Sequence, residues 1–329
     1  MIIDLNETTV STVARKLVSV REEGGAVALG RVLTLIIKSD YRPVEEAIEA
    51  ANDASREHPM RVIVLVTHPE DASRLDAQIR VGGDAGASEV VILRAHGDAG
   101  SNPESLVTGL LLPDAPVVVW WPDSPPAAPA LDPLGRIAHR RITDSSTSPE
   151  AADRLQRLDE TYRPGDTDLA WTRLTRWREQ LAAVVDQPPY EDVTAVEVRG
   201  ASTSPSTALL AAWLGLALEV PVAWQYERPS TWDHGIHSVR LARPSGDILL
   251  ERHSPTHATL TQPGQPDHDL LLPRRSLREC LAEELRRLDP DRLYGRVITD
   301  GWDALRAPAE THGTAAVPTI PSDDAESAE

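Results

Sequence analysis

Four short apolar runs, at residues 32–37, 62–66, 90–93 and 117–121, start 30, 28 and 27 residues apart. Each is nearly continuous in β-branched or large apolar side chains, as a strand buried on both faces must be. Their spacing is that of a βαβ unit, roughly 30 residues. A parallel sheet with crossover helices is the fold this pattern permits. Between the first two runs, Pro43 serves as a helix N1 residue, and Val44, Ala47, Ile48 and Ala51 follow at helical spacing until Pro59. The next connection differs. Leu75, Ala77, Ile79 and Val81 alternate with polar residues and run into Gly82-Gly83, which predicts an antiparallel hairpin and therefore a mixed sheet.

Further elements are predicted around this sheet. Val10, Val13, Ala14 and Leu17 mark an opening helix over 8–20, and another helix spans 103–111. Pro122, Pro125, Pro126, Pro129 and Pro133 make a stiff surface loop. A strand near 138–143 and a helix over 149–161 close the first unit, and residues 163–168 read as a linker. The second half opens with a helix over 168–186. It continues with a strand over 193–198, a helix over 205–218 and a strand over 220–224. Shorter strands follow at 236–242, 247–252, 257–261 and 268–272. Leu277, Cys280, Leu281, Leu285 and Leu288 then share one helical face, and Asp289-Pro290 is a cap-plus-N1 start for a last helix. The expected organisation is an α/β domain over 1–165 with a Rossmann-like mixed sheet, an α+β domain over 166–306, and a disordered acidic tail over 307–329.

Composition narrows the function classes. The 33 Lys and Arg against 51 Asp and Glu leave a net charge of −18, which opposes nucleic-acid binding. No apolar stretch reaches the ~18 residues a membrane span requires. The N-terminus has no basic region ahead of an apolar core, so a cytoplasmic location is expected. The single cysteine, Cys280, excludes an intramolecular disulfide and a cysteine-based metal cage.

The polar motifs are weaker. His234 and His237, with His253 and His257, have zinc-like spacing, but on strands and turns that spacing places the rings on opposite faces, so no metal is expected. The loop 200–207, with Ser202, Thr203 and Ser204 between a strand and a helix N-terminus, is a candidate anion site. It lacks the lysine of a P-loop, and ordinary capping accounts equally for its Ser and Thr content. No catalytic constellation emerges: there is no G-x-S-x-G, no H-E-x-x-H and no Cys–His pair in a plausible setting.

The aromatic residues carry more. With 8 Trp, 5 Tyr and no Phe, tryptophan supplies most of the large aromatic surface. Trp120 and Trp121 are adjacent on a strand and so point to opposite faces, at the strand end where α/β sheets receive ligands and partners. Burial in the sheet is the alternative for both. Trp171, Leu174, Arg178, Leu181 and Val185 share one helical stripe; an arginine there suggests a carboxylate across a boundary.

Several stretches together resemble one family. They are Val117-Val-Val-Trp-Trp-Pro122, Arg140-Arg-Ile-Thr-Asp-Ser145, Thr167-Asp-Leu-Ala-Trp-Thr-Arg-Leu-Thr-Arg-Trp-Arg178, and Cys280-Leu-Ala-Glu-Glu-Leu-Arg-Arg-Leu-Asp289 with its continuation to Tyr294. In this order they resemble the OpcA-type glucose-6-phosphate dehydrogenase assembly proteins of high-GC Gram-positive bacteria, over about residues 1–305. The resemblance implies a non-catalytic partner, without cofactor, that binds glucose-6-phosphate dehydrogenase and promotes its assembly or activity in the oxidative pentose phosphate pathway. Trp120, Trp121, Arg140, Arg141, Asp144, Asp168, Trp171 and Arg178 are then the candidate partner contacts. The alternative is a sugar-phosphate enzyme or sensor using loop 200–207.

Overall fold

The structure, a computed structural model, describes residues 1–23, 31–40, 44–82, 89–147, 157, 159–201, 204–227, 235–302 and 305. Its first sheet has eight strands: β1 (Ile2–Leu5), β2 (Leu33–Ser39), β3 (Met60–His68), β4 (Arg74–Arg80), β5 (Glu89–His96), β6 (Val117–Trp121), β7 (Arg140–Thr143) and β8 (Asp166–Asp168). They lie in the order β1-β4-β5-β3-β2-β6-β7-β8. The six from β5 to β8 are mutually parallel and, numbered by themselves in chain order, run 3-2-1-4-5-6, the doubly wound nucleotide-binding order. β1 and β4 add an antiparallel edge, so the sheet is mixed as the alternation of residues 75–81 predicts.

The pleat divides each strand between two cores. Leu35, Ile37, Val62, Val64, Val118 and Trp120 face one side, where helix α2 (Glu45–Ala54) and helix α8 (Leu277–Arg286) cover them. Ile36, Ile63, Leu65, Val119 and Trp121 face the other, under α1 (Val10–Glu23) and α3 (Pro103–Thr108). The two tryptophans therefore split across the sheet, as period two demands.

The second sheet has six strands: β9 (Ala195–Ala201), β10 (Val222–Glu227), β11 (Ile236–Ala242), β12 (Ile248–Arg252), β13 (His257–Thr261) and β14 (His268–Leu271). Their order is β10-β9-β11-β12-β13-β14. β9 and β10 are parallel and joined by α7 (Pro205–Leu218); the remaining pairings are antiparallel. α7 is apolar nearly all round, and nine of its residues are buried, from Pro205 to Leu214. α6 (Thr175–Val185) and α9 (Arg292–Arg296) pack in the same core through Trp177, Leu181 and Tyr294.

Several local expectations are corrected. Residues 163–168 are not a linker: Asp166, Thr167 and Asp168 are buried and form β8 of the first sheet. The helix expected over 168–186 is broken into α5 (Leu169–Thr172) and α6. The Thr172 carbonyl at the break is taken by Thr175 Oγ1 and by Arg275 Nη1, both at 2.9 Å. The last helix is capped by Asp291, whose carboxylate accepts from Tyr294 N at 2.9 Å, two residues later than the Asp289 start. The Pro-rich segment is not a free loop. Pro125 and Pro129 are buried, and α4 (Pro133–Arg136) closes so tightly that a Cβ on Gly135 would stand 1.7 Å from the Pro129 carbonyl oxygen. The helix expected over 149–161 falls mostly outside the described residues, as do Pro43, Gly83 and the tail from 307.

Candidate functional site

The doubly wound order implies a ligand crevice where β2 and β6 diverge, beyond their carboxyl ends. A dinucleotide would need a glycine-rich turn there so that the backbone could approach its pyrophosphate. The residues do not fit one. The connection from β2 to α2 reads Ser39-Asp40-Tyr41-Arg42-Pro43-Val44 and contains no glycine. Ser39 Oγ donates to Asp123 Oδ2 at 2.8 Å across the crevice, and Asp123 Oδ1 accepts from Ser124 N at 2.8 Å. Asp40, ion-paired with Lys38, accepts from Thr67 Oγ1 at 2.7 Å and adds a second carboxylate where phosphates would lie.

The polar residues singled out in the sequence gather instead at the far edge of the sheet, around β7 and β8. Arg140 donates from Nη1 to the Asp289 carbonyl at 2.7 Å and is ion-paired with Glu284 of α8. Glu284 also accepts from Thr172 Oγ1 at 2.5 Å, and burial pushes its carboxyl above the usual range. Arg141 pairs with Asp166 and donates to the Pro164 carbonyl at 2.7 Å. Asp144 takes both Nη atoms of Arg173, each at 2.7 Å, a bidentate pair.

Asp168 is wholly buried. It caps α5 by accepting from Ala170 N at 2.9 Å, and it also accepts from Thr143 Oγ1 and Ser145 Oγ, each at 2.6 Å. Its carboxyl is pushed up, first by burial and then by the neighbouring Asp144 charge. Trp171 Nε1 donates to Asp291 Oδ2 at 2.9 Å, and the Arg178 guanidinium lies 3.8 Å from the indole centre.

These groups define one open feature. A cleft of about 860 Å³ lies between α6, α8 and the chain leading to α9, and Arg140, Arg178, Glu283, Glu284, Asp289 and Asp291 line it. It is large enough for a side-chain cluster of another protein and carries both signs of charge. Burial pulls Arg178 below the usual arginine range, and its Nε has no acceptor.

The structure thus brings Arg140 and Arg178 together at the cleft, with Trp171 buried beneath Arg178 and with Asp144, Asp168 and Arg141 in the buried polar network behind it. Trp120 and Trp121 are elsewhere, 0% and 2% exposed. The strand-end surface proposed for them does not exist, because both faces of β6 are covered. Ser204 stands at the N-cap of α7, and Ser202 and Thr203 lie outside the described residues. His237 is buried, His257 bonds locally to Thr256 Oγ1 at 2.8 Å, and His234 is outside the described residues. Glu284 was missed from sequence, although it falls on the buried helical face of Cys280, Leu281 and Leu285, where a carboxylate requires a partner. Among the described residues no helix is long and apolar enough to cross a membrane.

Fold and site together define a doubly wound α/β layer, lacking a dinucleotide cradle, locked by ion pairs to an α+β layer. The chain belongs to the OpcA family. The family profile described as the glucose-6-phosphate dehydrogenase subunit N-terminal domain matches residues 51–160, and that of the C-terminal domain matches residues 164–298. The OxPP cycle protein OpcA of Synechocystis sp. is 28% identical over 227 residues, 64% of this chain and 47% of that protein. Its namesake in Nostoc punctiforme is 31% identical over 131 residues, 37% of this chain and 28% of that protein. The matched region thus spans about half the length of the first relative or less. Among solved structures, KijD10, a 3-ketoreductase from Actinomadura kijaniata, is similar at a TM-score of 0.47 and 10% identity, covering 84% of this chain and 97% of that one.

Proposed function

We propose that this protein is a non-catalytic assembly factor that binds glucose-6-phosphate dehydrogenase and promotes its oligomerisation or activity in the oxidative pentose phosphate pathway. The observation that carries this reading is the pair of dehydrogenase-subunit domain matches, which run in order across both layers. The crevice between β2 and β6, spanned by the Ser39–Asp123 contact and entered by no glycine-rich turn, supports it, because an enzyme of this strand order would need that space for its nucleotide. The contact surface is the cleft lined by Arg140 and Arg178. A desolvated arginine stacked on tryptophan is the kind of anchor that dominates protein interfaces.

The test is to mix the purified chain with its cognate dehydrogenase and follow NADP reduction and sedimentation. A rise in rate or a shift to a larger dehydrogenase oligomer is expected, with no NADP reduction by this chain alone. Unchanged rate, size and melting temperature on mixing would remove the reading.

A further inference from the structure

β9, α7 and β10 form a parallel βαβ unit within the second sheet, and such units collect ligands beyond the carboxyl ends of their strands. At that end of β9, where α7 begins, is a shallow indentation open to solvent, with an interior of about 20 Å³, room for about one water-sized group. Four arginines line it (Arg173, Arg176, Arg252 and Arg274), and among the described residues no aspartate or glutamate does. In a chain of net charge −18 this is a local reversal of sign.

Two of the four are neutralised, Arg173 by Asp144 and Arg176 by Glu279. The other two are not. Arg274 has no ion pair or hydrogen bond among the described residues. Arg252 is 5% exposed; it donates from Nη2 to the Leu272 carbonyl at 2.6 Å and leaves Nε without an acceptor. Burial and the facing Arg274 charge pull Arg252 down to about 10. A buried guanidinium beside a second unpaired one is costly unless an anion completes the set.

The helix adds its own field. α7 is 14 residues long, with Pro205 at its start and no side-chain cap from Ser204; the N–H groups of Ser204 and Thr207 are taken by the Ala201 and Ser204 carbonyls, so the N–H of Ser206 and the positive end of the dipole remain at the indentation. Gly200 lets the helix start sink against the strands. A Cβ there would meet Thr207 Oγ1 at 2.3 Å and the Gly235 carbonyl oxygen at 2.7 Å. Trp177 supports Arg252 from the apolar side, 5.1 Å from ring centre to guanidinium.

We propose that a tetrahedral dianion, the phosphoryl group of a small phosphomonoester or inorganic phosphate, binds at the mouth of this indentation with one oxygen inside it, held by Arg252, Arg274 and the N–H of Ser206 at the start of α7. Two uncompensated positive charges match a dianion, and the open mouth lets the rest of an ester extend into solvent. The site is separate from the cleft and is independent of the dehydrogenase reading, so it is tested on the full chain alone.

Isothermal titration at low salt with inorganic phosphate, glucose 6-phosphate and glucose is the experiment. Saturable one-to-one binding of the two phosphate probes, with none for glucose, is expected. Tighter binding of the ester marks a phosphomonoester site, and equal binding marks a site for the free ion. Arg274→Gln, an exposed position, should weaken binding about tenfold or more, the worth of a charge-assisted hydrogen bond. Arg252→Gln should weaken it further; if that variant fails to fold by circular dichroism, Arg274→Gln alone decides. No heat at millimolar phosphate, or an affinity unchanged in Arg274→Gln, would overturn the proposal.

Discussion

Arg140 of β7 and Glu284 of α8 form a buried ion pair across 144 residues of chain, with side chains 3% and 6% exposed. The pair fixes the last long helix onto the edge of the first sheet. Desolvating both charges offsets most of their attraction, so what the pair supplies is placement of α8 rather than net stability.

Removing one member strands the other. Arg140→Met should cost about 3–5 kcal/mol, whereas Arg140→Met with Glu284→Met should recover most of that loss. Urea denaturation of both variants measures the coupling, and equal losses in the two would show that the charges do not act as a pair.

Asp168 gives a pH signature of defined sign. Its folded carboxyl titrates above the ordinary value of 3.8, because burial and the Asp144 charge both disfavour ionisation. The folded state therefore binds more protons than the unfolded one between those two values, and this group's contribution to stability falls as pH rises through them. Asp168→Asn lacks that component but loses hydrogen bonds from Thr143, Ser145 and Ala170. Its destabilisation relative to the parent should be largest in acid and shrink as pH rises past 3.8. Stability curves that stay parallel would contradict this.

Cys280 should be inert. It is fully buried on α8, and burial, only partly opposed by Arg173 and Arg275, pushes its thiol up to about 11. Labelling of the native protein by a thiol reagent should proceed only as fast as unfolding. Cys280→Ala should cost about 1 kcal/mol without altering the response of the dehydrogenase.

Trp121 and Arg178 should fail in opposite ways. Trp121→Ala empties a core position and should cost about 3–5 kcal/mol, with the folded fraction still binding the dehydrogenase. Arg178→Ala should lower affinity for it by about 2 kcal/mol and move the melting temperature little. Melting temperature and dehydrogenase titration, measured on both variants, check the contrast.

The buried strands were legible because residues covered on both faces leave unbroken apolar runs, and the alternation of Leu75, Ala77 and Ile79 marked the antiparallel edge. Strand β8 was not legible: Asp166, Thr167 and Asp168 resemble a turn, and only Arg141, Thr143 and Ser145, distant in sequence, make their burial tolerable. At the candidate site, Trp171 and Arg178 were found through helical spacing. Arg252 and Arg274 escaped notice, since a strand end and a connection to α8 carry no periodicity that brings them to the start of α7.

The seating of α8 has a consequence for synthesis. The apolar face formed by Val118, Trp120 and Leu169 is closed in part by Cys280, Leu281 and Leu285. On the ribosome, the part of that face that α8 covers stays open until nearly the whole chain has emerged. A fragment ending near residue 165 would present Val118 and Trp120 to water, so shortened forms of the first layer should need a chaperone or aggregate.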